Sequence, residues 1–406
     1  LYKEAKHMKG LGIHVFAGGF TQGVRQAIPV DAQFEIHDFG RQTVEAMDVE
    51  FINVSRWTDW LDYESVWKSC QFCYGNPRCT AFSNYSSGCS SKSRGPTAAP
   101  TQDIWDLCKF GVEVKFELIT FESVQQIYSV GKPLLNKLTQ ELFVPNGYRV
   151  CHLFVNTAAE GNAQFRRRYF YVAYKNDRNF NITLPDLPEY RVTAGDVLQR
   201  PEFAGKPTRA GDIRNKKRSN YDAYTYHLLN DQHIQMIQHM SPGESYTRIA
   251  KTRPNDLKVL SPELWEKWEF RTSGLPFSLH SPFRLDPKKS CPTISSSAHR
   301  YLHPWENRPL TVGEIAAMMG WANGFIPVGP QPISQIGKGV VPATGKWLAE
   351  QIKAYLTDAW GNEDFESNYD HHTGHFIGED FTVSSAKPLE KVFNLTHYVP
   401  PLREDT

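Results

Sequence analysis

Gly75-Asn76-Pro77-Arg78-Cys79-Thr80-Ala81-Phe82-Ser83 follows an apolar run at residues 70–74 and sets one cysteine on a proline-bearing turn. A thiol on such a loop is a candidate nucleophile, because the thiolate reacts and a neighbouring cation lowers its pKa. Arg78 stands one residue away. The plainer alternative is a small buried hydrophobe, the commoner fate of a lone cysteine. The run before the loop has the length of a buried strand, and comparable runs lie at 11–16, 34–36, 49–54, 114–121, 148–155 and 169–174. Segments of helix length separate them, which predicts an α/β domain with a mostly parallel sheet covered on both faces. Ligands in such sheets gather at the carboxyl ends of the strands, where Gly18, Gly19, Glu35, Cys79 and Glu122 all fall.

Working outward, the 406 residues allow one large domain and a smaller one, and 40% hydrophobic with 13% aromatic residues indicate a packed chain. The net charge of +1 announces no polyanionic partner. Local charge does: Lys206, Arg209, Arg214, Lys216, Lys217 and Arg218 crowd one stretch against Asp212. The seven cysteines are odd in number and irregular in spacing, which argues against a disulfide framework. Cys70-Gln71-Phe72-Cys73 is a weak zinc signal inside a strand-like run, and no metal is expected. There is no long apolar run or signal-peptide pattern, so a soluble, cytoplasmic protein is the expectation.

Residues 176–304 are rich in Pro, Arg, Tyr and His and read as a loop-rich lobe, with one helix after Asn230 carrying Ile234, Ile237 and Met240. Thr311-Val312-Gly313-Glu314 is a capping box opening a helix that Gly320 ends. Pro342 opens another, burying Leu348, Ile352 and Tyr355. From residue 357 onward ten acids face three bases, and His371, His372 and His375 read there as a solvated turn.

These pieces, in this order, resemble the DNA cytosine-5 methyltransferases. Gly75 to Ser83 is similar to that family's Gly-Gly-Pro-Pro-Cys-Gln-Gly-Phe-Ser loop, and Phe121-Glu122-Ser123-Val124 to its Glu-Asn-Val. Gln164-Phe165-Arg166-Arg167-Arg168 matches Gln-x-Arg-x-Arg. Arg308-Pro309-Leu310-Thr311-Val312-Gly313-Glu314 resembles Arg-x-Leu-Thr-x-Arg-Glu, and Gln335 to Pro342 resembles Gln-Ile-Gly-Asn-Ala-Val-Pro-Pro. Phe283-Arg284-Leu285 and Cys291-Pro292-Thr293-Ile294 complete the series upstream.

The resemblance implies a Rossmann-like methyltransferase fold. Residues 1–175 and 305–360 would form the catalytic domain, 176–304 a target-recognition lobe and 361–406 an acidic extension. It implies that Cys79 attacks carbon 6 of a flipped cytosine and that carbon 5 is alkylated by S-adenosylmethionine. Glu122 would bond ring nitrogen 3 and the exocyclic amine, while Arg166 and Arg168 hold the base carbonyl and the adjacent phosphate. Phe16, Ala17, Gly18, Gly19, Phe20, Glu35, Asp59, Asn76, Pro77, Lys338, Gly339 and Val340 would surround the cofactor. Glu35 is expected at the ribose hydroxyls, with Asp38 as its competitor. Arg78, Ser83, Gln164, Lys216, Lys217 and Arg218 would contact duplex DNA, and the Ser- and Gly-rich loop 84–102 would close over the base. A monomer in a bacterial or phage-infected cell is expected.

The departures open alternatives. Arg78 stands for the loop's second proline, Ser123 for asparagine, Gly313 for arginine and Lys338 for the asparagine near the donor's methyl. An ammonium about 6 Å from a sulfonium costs about 3 kcal/mol at an effective dielectric near 20. Either Lys338 turns to a phosphate or carboxylate, or the donor is carboxy-S-adenosylmethionine, with Lys338 and Arg78 binding its anion and 5-carboxymethylcytosine as product. Two further alternatives are a modified pyrimidine base and an inactive DNA-binding homologue.

Overall fold

The computed structural model describes residues 8–83, 95–178, 180–183, 185, 188–206, 208–214, 221–229, 234, 237–245, 248–249, 252, 255, 282–321, 325–359, 376–377, 390–395 and 401–403. Lys216, Lys217, Arg218, residues 84–94, the three histidines 371, 372 and 375, and most of the helix expected after Asn230 lie outside the described residues. Two units divide the chain: Leu1–Gly161 with Arg166–Glu189 and Gly339–Pro400, and Asn162–Phe165 with Tyr190–Lys338 and Pro401–Thr406.

The first unit is built on one sheet. Its strands are β1 (Gly10–Ile13), β2 (Ala32–Glu35), β3 (Glu50–Asn53), β4 (Phe72–Gly75), β5 (Leu118–Ser123), β6 (Tyr148–Asn156), β7 (Arg167–Lys175), β12 (Phe376–Ile377) and β13 (Glu390–Leu395). They lie in the order β12-β13-β6-β7-β5-β4-β1-β2-β3. The strands from β3 to β5 are parallel, as is β13 on β6; β7 runs antiparallel to both β5 and β6. The acidic extension therefore supplies two unforeseen strands to the sheet, β12 and β13, and Phe393 of β13 is in the core.

Side chains alternate between the two faces with period two, and both faces are covered. Ile119 and Phe121 of β5 pack with Leu11, Phe34, Trp60, Leu107 and Phe110 on one face. Leu118 packs on the other with Phe20, Tyr74, Val172, Leu348 and Ile352. After α1 (Gly19–Val24) and α2 (Arg41–Glu45), whose Val44 lies near Gly18 at the start of α1, the first face receives α3 (Trp57–Trp60), α4 (Glu64–Trp67), α5 (Gln102–Glu113), α6 (Ile127–Val130) and α7 (Lys132–Lys137), with Trp60 and α5 supplying much of its core. The second face receives α1 and the last helix, whose expected start at Pro342 is the observed one.

The second unit holds α8 (Ala194–Leu198), the parallel pairs β8 (Arg209–Gly211) with β9 (Thr225–His227) and β10 (Phe283–Arg284) with β11 (Tyr301–Leu302), then α9 (Val312–Met318) and α10 (Pro332–Lys338). After it, α11 (Pro342–Leu356) returns the chain to the first unit. The capping box at Thr311 and Glu314 forms as written. The second unit runs to Lys338. Residues 305–338 join the second unit because α9 is tied there, with Gly313 N–H donating to Ala223 O at 2.8 Å and Thr311 bridging Tyr226. Among the described residues no helix is long and apolar enough to cross a membrane.

In the first unit α11 lies against α1. Gly23 and Gly345 permit this approach: a Cβ on Gly23 would sit 2.2 Å from Pro342 O, and one on Gly345 3.0 Å from Phe20 O. That contact anchors the chain just after Gly339 and Val340, both buried, in the first unit.

Candidate active site

The sheet order reverses between β1 and β4: β2 follows β1 on one side, and β4 begins the run toward β5 on the other. The crevice outside the carboxyl ends of the strands at such a reversal is where open α/β sheets bind ligands. Two loops flank it, the turn after β1 and the cysteine loop after β4.

The turn is tight and strained. His14 and Phe16 adopt φ of 56° and 58°, and Gly18 caps α1 at 76°. Left-handed backbone at non-glycine residues persists only where surroundings over-determine it. Here Glu35, at the end of β2, does so: its Oε1 accepts from Val15 N–H at 2.5 Å and Phe16 N–H at 2.9 Å. Gln33 Nε2 donates to the same oxygen at 3.0 Å and to Phe16 O at 3.1 Å. Thr21 and Tyr74 extend the chain of hydrogen bonds beneath it. Burial pushes the Glu35 carboxyl well up, and the two backbone N–H groups oppose that. Glu35 thus spends Oε1 on the turn's backbone. Asp38 is held by Arg41 and Asn53 at 2.8 and 2.9 Å on the surface. Asp59 is exposed on α3.

The cysteine loop leaves β4 at Gly75, which is packed so closely that a Cβ would meet Leu107 Cδ1 at 2.2 Å. Asn76 and Pro77 are buried, Cys79 and Ser83 half-buried. Phe82 and Ser83 N–H groups donate to Cys79 O at 3.0 and 3.1 Å. Burial pushes the Cys79 thiol up, the Glu122 carboxylate pushes it the same way, and the Arg168 and Arg166 guanidiniums oppose both. The cations that act on this thiol are therefore Arg168 and Arg166. Arg78 is forked onto Asp103, with Nε to Oδ2 at 2.5 Å and Nη2 to Oδ1 at 2.8 Å.

Glu122 is 2% exposed near the end of β5. Because β7 runs antiparallel, its first residues lie beside the last of β5, with Ser123 opposite Tyr169. That register places Arg168 Nε 2.6 Å from Glu122 Oε1. Burial raises the Glu122 carboxyl, opposed first by Arg168 and then by Arg166. Arg166, itself buried, donates from Nη2 to Gly339 O at 2.7 Å. Cys79, Glu122, Arg166 and Arg168 therefore act on one another electrostatically within the first unit.

Several expected residues are placed elsewhere. Gln164 is fully buried in the second unit, where its Oε1 accepts from Ile294 N–H at 3.0 Å. Lys338 is exposed in the last turn of α10. Asp103 and His14 were missed. His14 lies buried in the turn, its imidazole pushed down to about 4 by burial, with Asp103 opposing and Arg78 reinforcing the shift. No local sequence signal marks Asp103, since its pairing spans 25 residues.

The profile of a family described as C-5 cytosine-specific DNA methylase matches residues 52–354. The type II methyltransferase M.DdeI of Desulfomicrobium norvegicum is 24% identical over 311 residues, covering 70% of this chain and 72% of that one. A protein described as a type II methyltransferase from Methanocaldococcus jannaschii is 32% identical over 110 residues, which span 27% of this chain and 35% of that relative's length. Among solved structures, a protein described as a DNA modification methyltransferase encoded within an E. coli prophage superimposes with a TM-score of 0.62. It is 17% identical, and the match covers 86% of this chain and 99% of that one, a likeness of fold.

Proposed function

Because the chain belongs to the C-5 cytosine-specific DNA methylase family, we propose that it is a DNA cytosine-5 methyltransferase whose nucleophile is Cys79 and whose base-recognising acid is Glu122. The observation that carries this reading is the Arg168–Glu122 ion pair at 2.6 Å, both of whose members shift the Cys79 thiol.

S-adenosylmethionine, the donor the family implies, would lie against the turn Phe16-Ala17-Gly18-Gly19, where three successive positions bear nothing larger than a methyl. Phe16 to Phe20 with Asn76, Pro77, Gly339 and Val340 would hold it. When bound, it supplies an electrophilic methyl on a sulfonium. Cys79 adds as thiolate to carbon 6 of the flipped cytosine, which makes carbon 5 an enamine nucleophile. Glu122, raised by burial, is suited to carry the proton that ring nitrogen 3 needs. Protonating Glu122 also removes one of the two influences that hold the thiol up. The state that donates to the ring is therefore the state in which Cys79 ionises more readily. Arg168 and Arg166 stabilise both anions in turn, and Arg166 is fixed by the Gly339 carbonyl. After transfer, loss of the carbon 5 proton expels the Cys79 thiolate.

Duplex DNA would be the substrate and the second unit its recognition lobe, with the basic stretch at 206–218 as its phosphate contact. Duplex DNA carrying 5-fluorocytosine, incubated with S-adenosylmethionine, tests the chemistry, because after transfer carbon 5 carries fluorine where elimination needs a proton. A stable protein–DNA adduct is expected with the wild type and none with Cys79→Ser. DNA affinity with no adduct from the wild type would make the chain a binding module.

A second reading, transfer of a carboxymethyl group from carboxy-S-adenosylmethionine, is favoured by Lys338. Lys338 is an exposed residue whose peptide bond leads directly to Gly339, the residue whose carbonyl Arg166 holds. Arg78 no longer contributes, since Asp103 neutralises it. Nucleoside mass spectrometry with each donor separates the readings: a methyl gain supports the first, a carboxymethyl gain the second. Under the second, Lys338→Asn shifts preference toward the methyl donor, and unchanged preference removes it.

A further inference from the structure

The loop from Asn76 to Thr80 belongs to no helix or strand, yet it carries the nucleophile. Its exit is closed by the hydrogen bonds that Phe82 and Ser83 donate to Cys79 O. Its middle is held by a side chain. Arg78 reaches across to Asp103 and spends Nε and Nη2 on the two carboxylate oxygens, at 2.5 and 2.8 Å. A fork of this kind fixes orientation as well as distance.

The partner stands on a rigid support. Asp103 lies in the first turn of α5, a position the helix N-terminus favours for a carboxylate. The helix is bedded through Ile104, Leu107, Cys108 and Phe110, all buried in the core. Leu107 is also the residue against which Gly75 packs. Asp103 is 8% exposed at its side chain and Arg78 39%. Taking a carboxylate out of water is costly, and a pair of this kind is weak evidence for stability; what the fork supplies is fixed geometry. The pair also sits beside the turn after β1, because both members act on the His14 imidazole.

We propose that Asp103 is a positioning residue for the transfer reaction: acting through Arg78, it clamps the cysteine loop to α5 and so sets the approach of the Cys79 thiolate to the base. This rests on the methyltransferase reading, and it reassigns Arg78 from the DNA surface to the loop's own architecture. The sequence difference at this position then has a physical meaning. A proline stiffens a loop through its fixed φ, whereas Arg78 stiffens it by a cross-link to the neighbouring helix.

The test measures three quantities on the full chain: the first-order rate of adduct formation with saturating 5-fluorocytosine duplex DNA and S-adenosylmethionine, the DNA Kd by fluorescence anisotropy, and the melting temperature. Asp103→Asn and Arg78→Ala are each expected to slow adduct formation by about 10- to 100-fold, the cost of a displaced reacting group, with Kd within about twofold of wild type. Because the two residues act as one device, the double variant is expected to be no slower than the slower single variant. Asp103→Glu, which keeps the charge, recovers part of the rate. Three results overturn the proposal. One is an Asp103→Asn rate within twofold of wild type. Another is an Arg78→Ala defect that lies in Kd, which makes Arg78 a DNA contact. The last is a rate loss in every variant that merely tracks its lowered melting temperature. Absence of any adduct from the wild type would strike at the methyltransferase reading instead.

Discussion

Arg168→Met keeps much of the side chain's apolar stem and removes its charge, leaving Glu122 buried without its 2.6 Å partner. A buried carboxylate so stranded protonates, and the cost of doing so caps the damage. With an ordinary carboxyl value of 4.5 and 1.36 kcal/mol per pH unit, that cap is about 3 kcal/mol at pH 7 and below about 1 kcal/mol at pH 5. The sign follows from the direction of the shift. Burial already raises Glu122 in the folded chain, and removing Arg168 raises it further. A carboxyl raised on folding contributes stability that is complete below its unfolded value and is lost as pH climbs through its folded one. The variant therefore falls further below wild type as pH rises from about 5 to 8. Urea unfolding followed by circular dichroism at several pH values measures this directly. A destabilisation that is the same at pH 5 and pH 8 would refute the reasoning, since it would place the cost in packing and not in the Glu122 charge. The same variant should form the cytosine adduct about 100-fold more slowly, because Arg168 also holds the Cys79 thiol down.

Other outcomes follow from the same geometry. Gly23→Ala drives a methyl into the Pro342 carbonyl, where a Cβ would lie 2.2 Å away. Because backbone must move, it should cost about 1–3 kcal/mol and lower the melting temperature by several degrees. An unchanged melting temperature would show that α1 and α11 are not in contact. Glu160, to which Thr344 donates a hydrogen bond, is pushed up to about 8 by burial. Its stabilising protonated form is complete below 4.5 and lost as pH rises through about 8. Glu160→Gln, which mimics that form, should melt several degrees, about 5 °C or more, above wild type near pH 8.5 and within about 1–2 °C of it near pH 5. An equal difference at both pH values would remove Glu160 as its cause.

The sheet strands and the cysteine loop were legible in the sequence because they are local. A run of four to six apolar residues buries both faces wherever it lies, and a proline-bearing turn after it exposes whatever it carries. The start of α11 at Pro342 and the capping box at Thr311 and Glu314 were legible for the same reason, since caps are written within four residues. The acidic extension concealed a strand, because the parallel pairing of 390–395 with β6 is made with residues some 240 positions earlier.

By itself the sequence determined the order of elements and singled out Cys79, Glu122, Arg166 and Arg168 as candidates, each through a short motif whose chemistry is local. Only the tertiary structure decided what those side chains touch. It gave Arg78 to Asp103, set Glu35 to hold the strained turn, buried Gln164 in the second unit and moved residues 305–338 there with it. The reason is physical: a charged or polar side chain pairs with whatever the folded chain brings within about 3 Å, and that partner can lie at any separation along the sequence.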